Sequence, residues 1–473
     1  MPPEIDLLAV ERGSVTAPAG CGKTQQIAEA LGAHTDSKPI LVLTHTNAGV
    51  AALRARLAEA SISRSAYRLA TIDGFAMRLV AKFPQRSGLP PAMLELANPG
   101  DDYPAIRAAA ARLLQAGHIT QSLRASYARL LVDEYQDCNI PQHTMITWAA
   151  QVLPTCVLGD PMQAIFNFPG NALVNWQTDV EPHFPSAGML QTPWRWQRAG
   201  TAALGQWLLA VRARLQAGQS VDLRTAPAEV QWIQLQAATE DTQRRQAAMV
   251  RINGVQDSVL VIGDARRPGR RHDFASQTPG TTVVERVDLP ELIQFARSFK
   301  PTAADPLAVI IGFAASVMTG VGAAALLERV RILRFGRPHV PPTPIEAAAV
   351  SFANAPSLIE AQRLLLALSG ATYTRVYRPE LLNSCHATLQ AANGNPAGLY
   401  AAALQVRERQ RHTGRTQSRR RVGSTLLLKG LEADVAVILE PHEMTAQHLY
   451  VAMTRGARQL IVCSSTSVLT PIR

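Results

Sequence analysis

The segment Ala17-Pro18-Ala19-Gly20-Cys21-Gly22-Lys23-Thr24 narrows most sharply what this chain can fold into. It has the layout of a phosphate-binding loop. Glycines let consecutive backbone N–H groups face the phosphates, Lys23 reaches the β and γ oxygens, and the Thr24 hydroxyl holds Mg²⁺. Such a loop must join a buried strand to a helix, and strand-like Gly13-Ser14-Val15-Thr16 and helix-like Gln25 to Leu31 supply the two. Ala17 stands where the strict pattern has glycine, so by itself the segment also reads as a Gly-rich turn opening a helix.

A second motif separates the two readings. Asp133-Glu134-Tyr135-Gln136-Asp137 follows the apolar run Leu130-Leu131-Val132. Asp133, at the end of a buried strand, is placed to bind the metal, and Glu134 to orient or deprotonate an attacking water. An acidic cluster after a strand is often only a solvated loop. At this order and spacing, the two motifs together point to hydrolysis of a nucleoside triphosphate, with ATP and Mg²⁺ as cofactors. The chain has only five lysines against forty-two arginines, and one of the five is Lys23.

With 473 residues, 47% of them hydrophobic, the chain has material for about three domain-sized units. A formal charge of +11 and a pI near 9.8, carried by arginine, favour a polyanionic partner, nucleic acid first among them. Cys21, Cys138, Cys156, Cys385 and Cys463 are scattered without a CxxC pair. They suggest neither a metal site nor a disulfide framework, and a reducing, cytoplasmic compartment is expected. The N-terminus lacks the basic start and apolar stretch of a signal peptide. Pro306 to Leu327 carries no charge and is long enough to cross a bilayer, but Thr319-Gly320-Val321-Gly322 breaks it. It reads better as a turn between two buried helices, so no membrane is expected as a partner.

Further along, Pro39 to Asn47 reads as a buried strand ending in polar residues, followed by a helix from Ala48 to Ala60. Strand tips of this kind place polar groups beside a ligand. Then come Leu69-Ala70-Thr71-Ile72-Asp73-Gly74-Phe75, a mostly helical stretch over 76–128, and the acidic motif. A strand and loop, Val157 to Phe168, and the Trp194-Arg195 pair follow.

The order of these pieces, continued by Lys429-Gly430-Leu431-Glu432 and Val451-Ala452-Met453-Thr454-Arg455, resembles the UvrD/Rep-like branch of superfamily one DNA helicases. The resemblance implies an α/β protein with two RecA-like parallel-sheet domains and reduced helical insertions. ATP would lie in the cleft between the domains, and single-stranded DNA would run across their tops. It divides the chain into a first RecA-like domain (1–75 and 129–195) with a small helical insertion (76–128). The second domain (196–300 and 422–473) carries a reduced helical insertion with a basic loop (301–421). By position, Lys23, Thr24, Asp133 and Glu134 serve hydrolysis, Gln163 senses the γ-phosphate, and Arg195 and Arg455 are arginine fingers from the second domain. With Ala17, Gly20, Cys21 and Gly22 of the loop, Trp194, Gly430 and Glu432 complete the nucleotide site. Trp194 would stack on adenine, unless it is ordinary core between domains, and Glu432 would contact the ribose.

For DNA, the same resemblance implies base stacking on Phe168 and strand contacts from Thr46, Asn47, Thr71 and Ser424. Gly320 and Gly322 resemble a turn that grips duplex phosphate. Arg266-Arg267 with Arg270-Arg271, and seven arginines from Arg407 to Arg421, either extend a phosphate track or are solvated charge runs. The implied activity is an ATP-dependent translocase or helicase, 3′-to-5′ by resemblance, acting on single-stranded and tailed duplex DNA.

Departures from the family pattern matter as much. No glutamine precedes the loop to read the adenine edge. His45, Pro169 and Leu426 replace a phenylalanine, an arginine and a histidine that touch DNA in relatives. ATPase machinery is thus better supported than vigorous unwinding. The short build and the Thr-Ile-Asp-Gly-Phe form resemble small helicases of bacterial anti-phage systems such as the Gabija helicase subunit, which act beside a nuclease partner. No nuclease motif follows Arg455. An ATP-gated DNA sensor regulating such a nuclease is therefore a second reading. A P-loop phosphotransferase for small molecules is disfavoured, because it has no need of Arg455.

Overall fold

The protein is described by a computed structural model covering residues 4–167, 170, 172–251, 257–410 and 418–472. It divides into two compact units. The first comprises Met1–Trp232, Pro441–Leu460 and Thr466–Arg473, and the second Ile233–Glu440 and Ile461–Ser465.

Six strands build the sheet of the first unit: β1 (Arg12–Thr16), β2 (Ile40–Thr44), β3 (Tyr67–Thr71), β4 (Leu130–Val132), β5 (Thr155–Gly159) and β6 (Ser186–Met189). Their order is β3-β2-β4-β5-β1-β6 and every pairing is parallel. Parallel strands need crossover connections that cover both faces, so the central strands β2, β4 and β5 are buried along their whole length, while β3 and β6 at the two edges are not. In β2, Ile40 and Val42 enter the core on one face with Ile27, Leu31, Leu53 and Leu57. Leu41 and Leu43 enter the core on the other, with Ile72, Phe75 and Ile106. This is the period of two that a pleated strand imposes.

The covering helices are α1 (Lys23–Ala33), α2 (Asn47–Glu59), α3 (Ile72–Lys82), α4 (Pro84–Ser87), α5 (Pro99–Gln115), α6 (Thr120–Ser126), α7 (Ile140–Ala149), α8 (Trp194–Ala199) and α9 (Ala202–Gln216). Because the strands run the same way, their C-terminal ends share one edge of the sheet. Thr16 pairs with Gly159, Thr44 with Thr71, and Leu43 with Val132. Loops leaving that edge are where parallel α/β sheets bind ligands. The phosphate-binding loop, the acidic motif and both polar strand tips all leave from it.

The second sheet has the order Thr281–Val283, Arg420–Gly423, Val259–Ile262, Ala433–Ile438, Gly456–Ser464, Val230–Gln234. Two six-stranded parallel sheets make this the α/β fold with paired RecA-like sheets that the sequence implied. Helices from Pro290 to Gln410 form a separate core in the second unit, in which Phe295 lies 5.0 Å from Phe299 and 4.6 Å from Phe313 between ring centroids. The uncharged run 306–327 is a buried helix, Pro306–Val317, then a tight turn, then a helix, Ala323–Phe335, that buries only Leu326 and Val330. Among the described residues, no helix is long and apolar enough to cross a membrane. All five cysteines are buried and unpaired.

Candidate nucleotide and strand-binding site

The loop after β1 is fixed before it reaches its glycines. Ala17 N–H donates to Gly159 O at 2.8 Å, tying the loop to β5. Ala17 is buried outside the left-handed region, so the position tolerates a methyl group where the family pattern has glycine. Gly20 and Gly22 do not have that freedom, with φ of +71° and +82°. A β-carbon would stand 2.5 Å from Trp196 Cζ3 at Gly20 and 2.8 Å from Trp194 Cδ1 at Gly22. Trp194 therefore lies directly against the loop. Trp194 is partly exposed, and the Arg198 guanidinium lies 6.0 Å from its ring centroid. Ala19 N–H donates to Tyr450 Oη at 3.1 Å, from the helix Ala446–Met453.

Lys23 opens α1 and Thr24 follows it, half-buried. The Lys23 ammonium sits 3.0 Å from Asp133 Oδ1 and also bonds Glu134 Oε1. Burial works against the charge on Lys23, but the two carboxylates outweigh it and hold its pKa above the ordinary lysine value. For Asp133, burial pushes the carboxyl up, Lys23 opposes this, and the neighbouring Glu134 adds to the upward shift. A divalent cation would relieve that crowding of negative charge. The residues thus fit a Mg²⁺–nucleoside triphosphate: the Lys23 ammonium meets the Asp133 carboxylate at the end of the glycine loop, and Thr24, a hydroxyl suited to the metal, is next in α1.

Glu134 has a left-handed backbone, φ +55°, and bonds its own N–H to Asp133 Oδ1 at 2.9 Å. Left-handed backbone in a non-glycine residue costs energy and gathers at functional sites. Gln136, 1% exposed, holds the side chain: its Nε2 donates to Glu134 Oε2 at 2.6 Å and its Oε1 accepts from Asp160 N at 3.0 Å. Asp160 is fully buried, paired with Arg212 of α9 through Nε and Nη2 at 3.0 and 2.8 Å. Gln163 donates to the other Asp160 oxygen at 3.2 Å.

Arg195 and Arg455, which the resemblance brings from the second domain, both lie in the first unit with the loop. Arg195 donates from its backbone to Gly20 O at 3.1 Å and from Nη1 to Thr454 O at 2.6 Å, and its guanidinium lies 5.3 Å from the Trp196 ring. Arg455 is buried, its Nε on Val451 O at 2.8 Å and its Nη2 on Thr454 Oγ1 at 3.1 Å. Gly430 and Glu432 fall in the second unit, Gly430 with φ +81° and Glu432 exposed before the strand Ala433–Ile438.

At the strand tips, Thr46 and Thr71 cap α2 and α3, accepting from Gly49 N at 3.0 Å and Gly74 N at 2.9 Å. A capping hydroxyl accepts with its oxygen and keeps its proton to donate, so each remains a donor for a phosphate. Asn47, exposed, opens α2 beside them. Ser424 caps the short helix Thr425–Leu428 in the second unit, accepting from Leu427 N at 3.4 Å. Gly320 and Gly322 have φ of +78° and +58°, and a β-carbon at Gly320 would stand 2.4 Å from Tyr373 O. Phe168, Pro169 and part of the basic run at 411–417 lie outside the described residues.

Residues 10–101 and 95–183 match the model of the UvrD/REP helicase N-terminal domain. The chain carries a UvrD/REP helicase N-terminal domain. That match ends before Trp194 and does not narrow the likeness to the Gabija subunit. No curated protein matches the chain.

Sequence reading missed the supports behind the UvrD/REP motifs. Gln136 and Asp160 stood inside them, and a buried amide or carboxylate needs partners. Arg212 carried a signal too, since it sits among Leu204, Leu208, Val211 and Leu215 on the apolar face of α9. Tyr450 gave none, being 431 residues from Ala19.

Proposed function

We propose that the chain is an ATP- and Mg²⁺-dependent motor on single-stranded DNA, a translocase or helicase running 3′-to-5′. The observation that carries this reading is the convergence of Lys23, Asp133 and Glu134 at the edge of the first sheet, inside a UvrD/REP helicase N-terminal domain. Lys23 and Thr24 hold the phosphates and metal with Asp133, and Glu134 acts on the attacking water. Gln163 reads the γ-phosphate, and Arg195 and Arg455 stabilise charge on the transferring phosphoryl group. Trp194, Gly430 and Glu432 bind the nucleoside. Thr46, Asn47, Thr71, Phe168 and Ser424 contact the strand, and Gly320 and Gly322 the duplex of a tailed substrate.

The substitutions His45 and Leu426 favour a second reading, an ATP-gated DNA-sensing subunit of a nuclease complex that does not unwind. One experiment separates them: ATP turnover with and without single-stranded DNA, beside strand displacement on 3′- and 5′-tailed duplexes. DNA-stimulated turnover with displacement from the 3′ tail supports the motor. Stimulated turnover without displacement from either tail supports the sensor, and absence of stimulation removes both.

A further inference from the structure

Asp73 lies two residues beyond the Thr71 cap, in the first turn of α3, and its carboxylate joins three elements. Arg107 of α5 grips it with Nε on Oδ1 and Nη2 on Oδ2, both at 2.7 Å. Gln142 of α7 donates from Nε2 to Oδ1 at 3.0 Å. Gln142 is wholly buried and has no polar atom to spare, because its Oε1 accepts from Asn139 N at 3.1 Å in the capping box that starts α7. Asn139 follows the acidic motif directly, across Cys138. A continuous set of hydrogen bonds thus runs from the first turn behind the Thr71 tip to the backbone leaving Asp133–Asp137. Helix α5 lies against both α3 and α7.

This geometry is costly unless it serves something. A carboxylate and a guanidinium, 23% and 17% exposed, have given up most of their water, and a wholly buried amide is committed to one orientation. A bidentate pair fixes direction as well as distance. A shift of the α3 N-terminus would move Asp73, and Gln142 would have to follow or lose its bond. The acidic motif and the strand tip are therefore mechanically joined at one side chain.

We propose that Asp73 is a positioning residue that transmits occupancy of the Thr46–Thr71 rim to the acidic motif through Gln142, so that a seated single strand raises turnover. The inference rests on the motor reading and deepens it. Asp73 touches neither nucleotide nor DNA in this account. It acts through the α7 N-terminus, and Arg107 holds it in the orientation that reaches Gln142.

The test uses the full chain, unmodified and as Asp73→Asn and Gln142→Leu, with oligodeoxythymidylate as the probe strand. Turnover without DNA, turnover at saturating DNA, strand affinity and melting temperature are measured for each. Both variants are expected to keep DNA-free turnover and strand affinity within about threefold, and to lose about tenfold of the DNA-stimulated rate, the scale on which a coupling residue acts. Stimulation at the unmodified level in both variants overturns the proposal. So does an equal fall in DNA-free and stimulated rates, which marks a purely structural role. If the unmodified protein shows no stimulation at all, the motor reading itself fails, a result distinct from either. Where Asp73→Asn melts below the assay temperature, Gln142→Leu, which leaves the Asp73–Arg107 pair intact, reads the same link.

Discussion

Gln136 Nε2 donates to Glu134 Oε2 at 2.6 Å while its opposite end accepts the Asp160 backbone N–H at 3.0 Å. The side chain proposed to act on water is thus held by a neutral amide that is itself pinned to the next strand. Gly159 is required by the same arrangement, since a β-carbon there would stand 2.6 Å from Gln136 Oε1. Replacing Gln136 by Met keeps the length and removes both bonds. A hydrogen bond to a charged group contributes about 1.5–3 kcal/mol, so turnover should fall by about 10- to 100-fold. Nucleotide affinity, measured by equilibrium binding, should stay near the unmodified value. A parallel fall in affinity would show that Gln136 shapes the loop and not the carboxylate.

Arg455→Ala should reduce hydrolysis by about 10³-fold or more, as loss of an arginine finger does, while nucleotide affinity stays within about tenfold. Its guanidinium caps its own helix at Val451 and Thr454, so the melting temperature must be measured beside turnover. Near-normal turnover in a folded variant would leave Arg455 with the structural role alone.

The pair Asp160–Arg212 is a stability matter. Arg212→Leu strands a fully buried carboxylate, a change that costs about 3–5 kcal/mol when one partner of a buried pair is removed. The denaturant midpoint should drop accordingly, and Asp160→Asn combined with Arg212→Leu should recover part of the loss. A shift below about 1 kcal/mol would mean that water reaches Asp160.

Nucleotide choice is set, in the proposed site, by stacking of the base on Trp194. Trp194 lies against Gly22 and offers an aromatic face, which accepts any purine, whereas a hydrogen-bonding site rejects a mismatched base by leaving buried groups unpaired. GTP should therefore support hydrolysis within about tenfold of ATP, a difference of about 1.4 kcal/mol, and Trp194→Ala should weaken both together. An ATP preference on the order of a thousandfold would mean that polar groups read the adenine edge.

The parts of the site legible in the sequence were those whose chemistry dictates local spacing. Lys23 must follow the glycines, and Asp133 must end a strand, so both could be placed by pattern. The turn at Thr319–Gly322 was legible because glycines at positive φ punctuate an apolar run. Contacts between distant residues were not. Periodicity says which face of α9 is buried but not that Arg212 meets Asp160, 52 positions away. Thr46 could be read from a polar strand tip, and Thr71 and Ser424 from the resemblance, yet their capping bonds depend on where each helix begins, which pattern fixes only to within a few residues. Asp73 was visible only as part of a motif, because its partners come from helices α5 and α7.

Nucleotide hydrolysis at Lys23, Asp133 and Glu134, driven by single-stranded DNA, is read out in steady-state ATP turnover with Mg²⁺. It should be measured with and without oligodeoxythymidylate, for the unmodified chain, Lys23→Ala and Glu134→Gln, beside equilibrium nucleotide binding. DNA should stimulate turnover in the unmodified chain and both substitutions should abolish it, with affinity lost only in Lys23→Ala, because only that change removes a phosphate contact. Turnover that persists in Glu134→Gln, or that is indifferent to DNA in the unmodified chain, would contradict DNA-driven hydrolysis at these residues.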